Sequence, residues 1–145
     1  MQLRNRPPGR SSRCCEPVDP PRQWFDYVDL THPSVRALDA WLSDLPPFAR
    51  AIALGEIDEL FEAAAAGKLE DSGDEKTPIL PIVSDPAIYE LRLKHLARQL
   101  RFYHGEPPHR PDLLVKLHRH IKTGKQSQQA EIEHAITRYH AGQKP

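Results

Sequence analysis

Cysteine is nearly missing from this chain of 145 residues: there are two, Cys14 and Cys15, and they are adjacent. Neighbouring cysteines bridge only under strain, so a disulfide framework is excluded. Long apolar runs are missing too. No stretch approaches the roughly 18 residues of a membrane-spanning helix, and the opening residues carry no apolar signal core. The expectation is therefore a cytoplasmic protein in reducing surroundings, with no membrane partner. No internal repeat is visible. The length suffices for one domain with a modest core.

Net charge is absent as well, with 20 basic residues balancing 20 acidic ones. The balance hides an uneven distribution. Residues 24–76 hold 12 acidic and 4 basic side chains, whereas residues 77–145 hold 6 acidic and 11 basic, together with seven of the eight histidines. A basic second part points to a surface that meets a polyanion.

Residues 1–22 contain five prolines, five arginines and little to bury. They are expected to be a disordered extension, with the folded domain over residues 23–141. "WFDYV" (24–28) reads as a strand. Val35, Leu38, Trp41, Leu42 and Leu45 recur at helical spacing until Pro46-Pro47, and a second helical stripe runs through Ala53, Leu54, Ile57, Leu60, Phe61 and Ala64 to Gly67. This pair predicts a helical hairpin. An acidic loop (69–76) leads to three strands near 88–94, 98–104 and 112–122. A closing helix is expected with Ser127 as its cap and Ile132, Ala135, Ile136 and Tyr139 on one face. The whole predicts an α+β domain: a small sheet with helices on one face and the other face open.

Alternation along the strands sorts the residues of that open face. Arg92 and Lys94, then Gln99, Arg101 and Tyr103, then Lys116, His118, His120 and Lys122 point away from the expected core. Arg98 has the inward parity of Leu100. Like charges on adjacent strands are mutually unfavourable unless an anion joins them, so the face suits phosphates, and Tyr103 or a histidine suits base stacking.

Tyr89-Glu90-Leu91-Arg92, Leu117-His118, Lys122, Glu131-Ile132-Glu133, Ala135 and Arg138-Tyr139 stand in an order and spacing that resemble the RelE/HigB superfamily of toxin–antitoxin mRNA interferases, in its phage-derived HigB-like branch. The resemblance implies a RelE-like fold, a small mainly antiparallel sheet with an N-terminal helical hairpin and a C-terminal helix. It also implies a ribosome-dependent endoribonuclease that acts on mRNA in the ribosomal A site, without cofactor or metal, and is neutralised by a cognate antitoxin of helix-turn-helix type. Two positions depart from the pattern. The second-strand arginine falls on Gln99, with Arg101 one pleat along as substitute, and Thr123 replaces one of two lysines, with Lys125 as a displaced stand-in.

Cleavage by 2′-hydroxyl attack needs a base, a group to offset the phosphorane charge and an acid for the leaving oxygen. Arg92, Arg101, His118 and Lys122 are the candidates for these roles. Lys94, Tyr103, Lys116, His120 and Lys125 are the candidates for holding RNA. Arg92 suits a phosphate because a guanidinium grips two oxygens at once; its alternative role is an ion pair with Glu90. His118-x-His120 also imitates a metal pair, but a third ligand at good spacing is missing unless His134 or His140 turns in. Tyr139 reads as a core anchor of the last helix. Two other readings stay open: a ParE-like relative that inhibits by binding, and a degenerate, non-catalytic member.

Overall fold

A computed structural model describes residues 11–96 and 98–145, with residues 125–127 described in their backbone only. A 3-10 turn over Arg13–Cys15 is followed by β1 (Gln23–Asp26), α1 (Pro33–Asp44), α2 (Pro47–Ala65), β2 (Ile79–Pro81), β3 (Ile88–His95), β4 (Arg98–Gly105), β5 (Leu113–Ile121) and α3 (Lys125–Gly142). The strands form one sheet in the order β1-β5-β4-β3-β2. β1 runs parallel to β5, and the other neighbours are antiparallel. The α+β class expected from the sequence is the one observed.

The helices begin and end for local reasons. His32 caps α1, its Nδ1 accepting the Ser34 N–H at 3.1 Å, with Pro33 in the first turn. Pro47 opens α2, where its missing N–H has no partner to lose. The two helices do not make the N-terminal hairpin that was expected. They follow β1, and besides touching each other α1 packs on β5 and α2 on the 3-10 turn and β3. β2 went unrecognised because it is three residues long and contains Pro81; it lies at the sheet edge, where a proline is tolerated. α3 starts two residues before Ser127, with Gly124 at the cap position.

Both faces of the sheet are covered, which corrects the expectation of an open one. On one face Leu38, Leu60 and Ala64 from α1 and α2 pack on Leu91, Leu100, Phe102 and Leu114. On the other, Ala135 and Tyr139 of α3 pack on Ile88, Tyr103 and Leu117. The apolar stripe of α3 was legible. Its destination was not: only residues 122–124 separate β5 from α3, and they turn the chain back across the second face. Tyr139 lies so close to β4 that a Cβ on Gly105 would sit 2.5 Å from its ring, so this strand position requires glycine. Burying the tyrosine ring contributes about 1.5–3 kcal/mol.

A bulge in β5 decides which residues share the α3 face. His104 pairs with Lys116, but Tyr103 pairs with His118, leaving Leu117 as an extra residue. Alternation reverses there. Leu117 and His118 both lie under α3, whereas Lys116 turns to the other side, its ammonium 4.7 Å from the Phe61 ring centroid and 5.9 Å from that of Trp24. Arg119 follows Lys116 to that side and grips Asp39 of α1 through two hydrogen bonds of 2.8 and 3.0 Å.

Residues 11–22 are packed into the domain, contrary to the expected disorder. The Cys14 side chain is fully buried in the core. Ser12 Oγ and the Arg13 N–H both donate to the Glu106 carboxylate, at 2.5 and 2.9 Å. Residues 11–22 thus belong with the folded domain expected from residue 23; residues 1–10 lie outside the described residues.

Candidate functional site

Two rows of side chains cross the sheet beneath α3. Strand register sets Arg92 opposite Arg101 and Arg101 opposite His120; the next row is Glu90, Tyr103 and His118. Glu90 joins the rows. Its Oε1 lies 2.9 Å from Arg101 Nε and 3.2 Å from Arg92 Nε, and its Oε2 accepts from Gln128 of α3 at 3.1 Å. The two opposed guanidiniums, mutually repulsive by themselves, thus share one buried carboxylate.

The aromatic members stack. Tyr103 and His120 have ring centroids 5.6 Å apart and nearly parallel planes, and His118 continues the stack 6.0 Å from His120. The Tyr103 hydroxyl lies 3.0 Å from His120 Nε2. His118 Nε2 donates to Glu131 of α3 at 2.6 Å, and Glu131 also accepts from Ser34 of α1 at 2.8 Å.

Burial governs how these groups hold protons. Desolvation pushes His118 down to about 4 despite its bond to Glu131, and lowers His120 and His134 as well. Glu131 is lowered because, against the cost of burial, His118 and Ser34 hydrogen-bond its ionised form. The resting pair is therefore a neutral imidazole donating to a carboxylate. Burial, then Glu90, raises the Tyr103 phenol, which stays protonated.

An acid dependence of stability follows. The unfolded chain takes up protons on these histidines near pH 6.5, while the folded chain resists them until lower pH. Their contribution is present above pH 6.5 and is lost as pH falls from there towards 4. Thermal melting between pH 7.5 and 4.5 should show a steady fall in Tm beginning near 6.5. The double variant His120→Asn/His134→Asn should make the fall shallower, with His118 supplying what remains, and a wild-type Tm unchanged down to pH 5 would contradict the assignment.

The sequence-derived candidates divide. Arg92, Arg101, Tyr103, His118 and His120 do share one face, but only Arg92 reaches solvent, with 14% of its side chain exposed. Lys94 is exposed at the end of β3 and Lys122 half-buried beyond β5. Lys116 is on the opposite face, and the side chain of Lys125 lies outside the described residues. Arg101 Nη2 donates to Gln99 Oε1 at 3.0 Å, so these two do share a face. Arg98 is exposed at the start of β4.

Sequence reasoning gave no site role to Glu90, Gln128, Glu131 or His32. The signal available was the i, i+3 spacing of Glu131 and His134 on the α3 side that carries Ala135, which turns both towards the sheet. His32, His118 and Glu131 each bring a potential metal-ligating atom within 4.8 Å of the others, as do Cys14, His104 and Glu106. The second set is closed off from solvent and bonded internally, His104 lying 2.8 Å from Glu106 and 3.5 Å from Cys14. Burial alone would lower His104, but Cys14 and Glu106 raise it to about 10. This clasp adds stability in full below pH 6.5, lost as pH rises through 10.

Comparison with models of protein families, with curated proteins and with solved structures finds no match to this chain.

Proposed function

We propose that the chain is a toxin of the mRNA-cleaving kind: an endoribonuclease that acts without metal on mRNA in the ribosomal A site and is silenced by an antitoxin, of helix-turn-helix type by the resemblance. The observation that supports this reading is the row Arg92–Arg101–His120. Two guanidiniums face one another across β3 and β4 around a carboxylate, with a neutral imidazole beside them. A scissile phosphate is an anion of the same reach, and two arginines match its oxygens.

In this reading RNA approaches from the end of the face marked by Lys94, Gln99 and Lys122, away from Tyr139. Arg92 and Arg101 offset the phosphorane charge, with Lys94 and Lys122 adding attraction. His118 or His120, uncharged at neutral pH, takes the 2′-hydroxyl proton, and the resulting imidazolium or Lys122 returns one to the leaving 5′-oxygen. A binding-only or degenerate relative is the second reading, favoured by the burial of Arg101, His118 and His120.

Expression of the chain alone should arrest growth, and primer extension on a translated reporter should show cuts within codons. Arg92→Ala and Lys122→Ala, at partly exposed positions, should relieve the arrest with little change in Tm. Arg92→Lys should relieve it too, since lysine lacks the two-toothed grip. Arrest without cleavage would point to a binding inhibitor, gyrase-linked DNA breaks to a ParE-like one, and absence of arrest to a degenerate protein.

A further inference from the structure

Where the loop before α1, β5 and α3 meet, three imidazoles crowd together outside the arginine row. The ring centroids of His32, His118 and His134 are 4.2, 4.5 and 4.7 Å apart. Neutral imidazoles gain little from one another at this range. Two of their nitrogens, His118 Nδ1 and His134 Nε2, are buried with no hydrogen-bond partner among the described residues. A buried acceptor without a donor carries the full cost of its desolvation. Glu131 completes the group: it holds His118 Nε2–H and so leaves the lone pair of that ring on Nδ1. Lone pairs of buried nitrogens beside a carboxylate call for a cation.

We propose that His32, His118 and His134, with Glu131 holding His118 from behind, form a binding site for a divalent first-row transition metal, with zinc the best fit. Three imidazoles are donors such an ion prefers, with a fourth position left for water, whereas magnesium and calcium favour all-oxygen sites. Glu131 and His134 arrive together from adjacent turns of α3, and His118 projects from β5 because the bulge turns it under that helix. His32 now spends its Nδ1 lone pair on the Ser34 N–H, and turning to the ion breaks that cap bond. A bound ion ties α3 to the sheet and to the start of α1. The site shares His118 with the nuclease reading, where a bound ion would leave His120 as the base, but its test involves no RNA and stands or falls separately.

The full-length chain, stripped with chelator, should be titrated with zinc alone by calorimetry and with cobalt alone by absorption at pH 7.5. One equivalent should bind, with the intense visible bands of tetrahedral cobalt, and excess zinc should raise Tm by about 5–10 °C. His134→Ala and His32→Ala should each weaken binding at least tenfold while remaining folded by circular dichroism. His140→Ala is the control, since His140 pairs with Asp85 and belongs to no cluster; it should bind as the wild type does. Binding equally weak in the wild type and His134→Ala, or cobalt spectra no different from the solvated ion, would overturn the proposal.

Discussion

Glu90→Ala should cost about 3–5 kcal/mol of folding stability, the range seen when one partner is removed from a buried ion pair. Glu90 is 1% exposed, and its carboxylate lies within 3.2 Å of two guanidiniums placed directly opposite each other. Without it Arg101 stays buried and charged against Arg92, because a guanidinium cannot shed its proton. The variant also breaks the contact with Gln128 that links α3 to β3. A domain of this size has about 5–15 kcal/mol in all, so urea denaturation should show a midpoint shifted far down. Two companions separate charge from packing. Glu90→Leu combined with Arg101→Met should recover most of the loss, since an apolar pair of similar volume replaces the ion pair. Inorganic phosphate should restore part of the stability of Glu90→Ala if the guanidinium pair accepts an external anion. A loss below about 1 kcal/mol would mean that water reaches the arginines and the network is a surface feature.

A chain begun at Gln23 should fail to melt cooperatively. Removing residues 11–22 withdraws Cys14 from the core and takes both donors, Ser12 Oγ and the Arg13 N–H, away from Glu106. It also frees backbone groups at Ala65, Ala66 and Leu69, which pair with Arg22, Val18 and Cys14. The His104–Glu106 pair would then face water on a side the fold leaves sealed. Lost apolar burial and several unmade hydrogen bonds each cost on the order of 1 kcal/mol or more, and together they approach the stability of the whole domain. Far-ultraviolet and near-ultraviolet circular dichroism should diverge, with helix content partly kept and the aromatic signal around Trp24 and Phe61 lost. A truncated chain that melts cooperatively within a few degrees of the full one would show the clasp to be dispensable.

The strands and the rule of alternate faces were readable from the sequence because β3 and β4 keep strict period two. Tyr89, Leu91 and Leu93 oppose Glu90, Arg92 and Lys94, and the arginines share a face as the spacing said. β5 hid its bulge, because Val115-Lys116-Leu117-His118 alternates apolar and polar straight through the extra residue. Only the register with β4 shows that Leu117 and His118 sit on one side. The N-terminal clasp was illegible for a different reason. Cys14 is a single small apolar side chain among arginines and prolines, and its value comes from His104 and Glu106, 90 and 92 residues away. The basic face was identified, but its protection from water was not, since that depends on where α3 lands after a short link.

The bulge also ties the placement of the histidines to the course of β5. Above Leu117 the strand carries Leu114 and Lys116 towards α1 and α2, and below it the same parity class would send His118 and His120 there too. Deleting Leu117 removes the extra residue and the reversal of alternation together: Lys116 and His118 stay opposite His104 and Tyr103, both histidines keep the α3 face, and the apolar contact of Leu117 is what is lost. Straightening the strand at its present length would instead carry both histidines away from Tyr103, Glu131 and His134 in one event, so the histidine group depends on the bulge for as long as Leu117 is present.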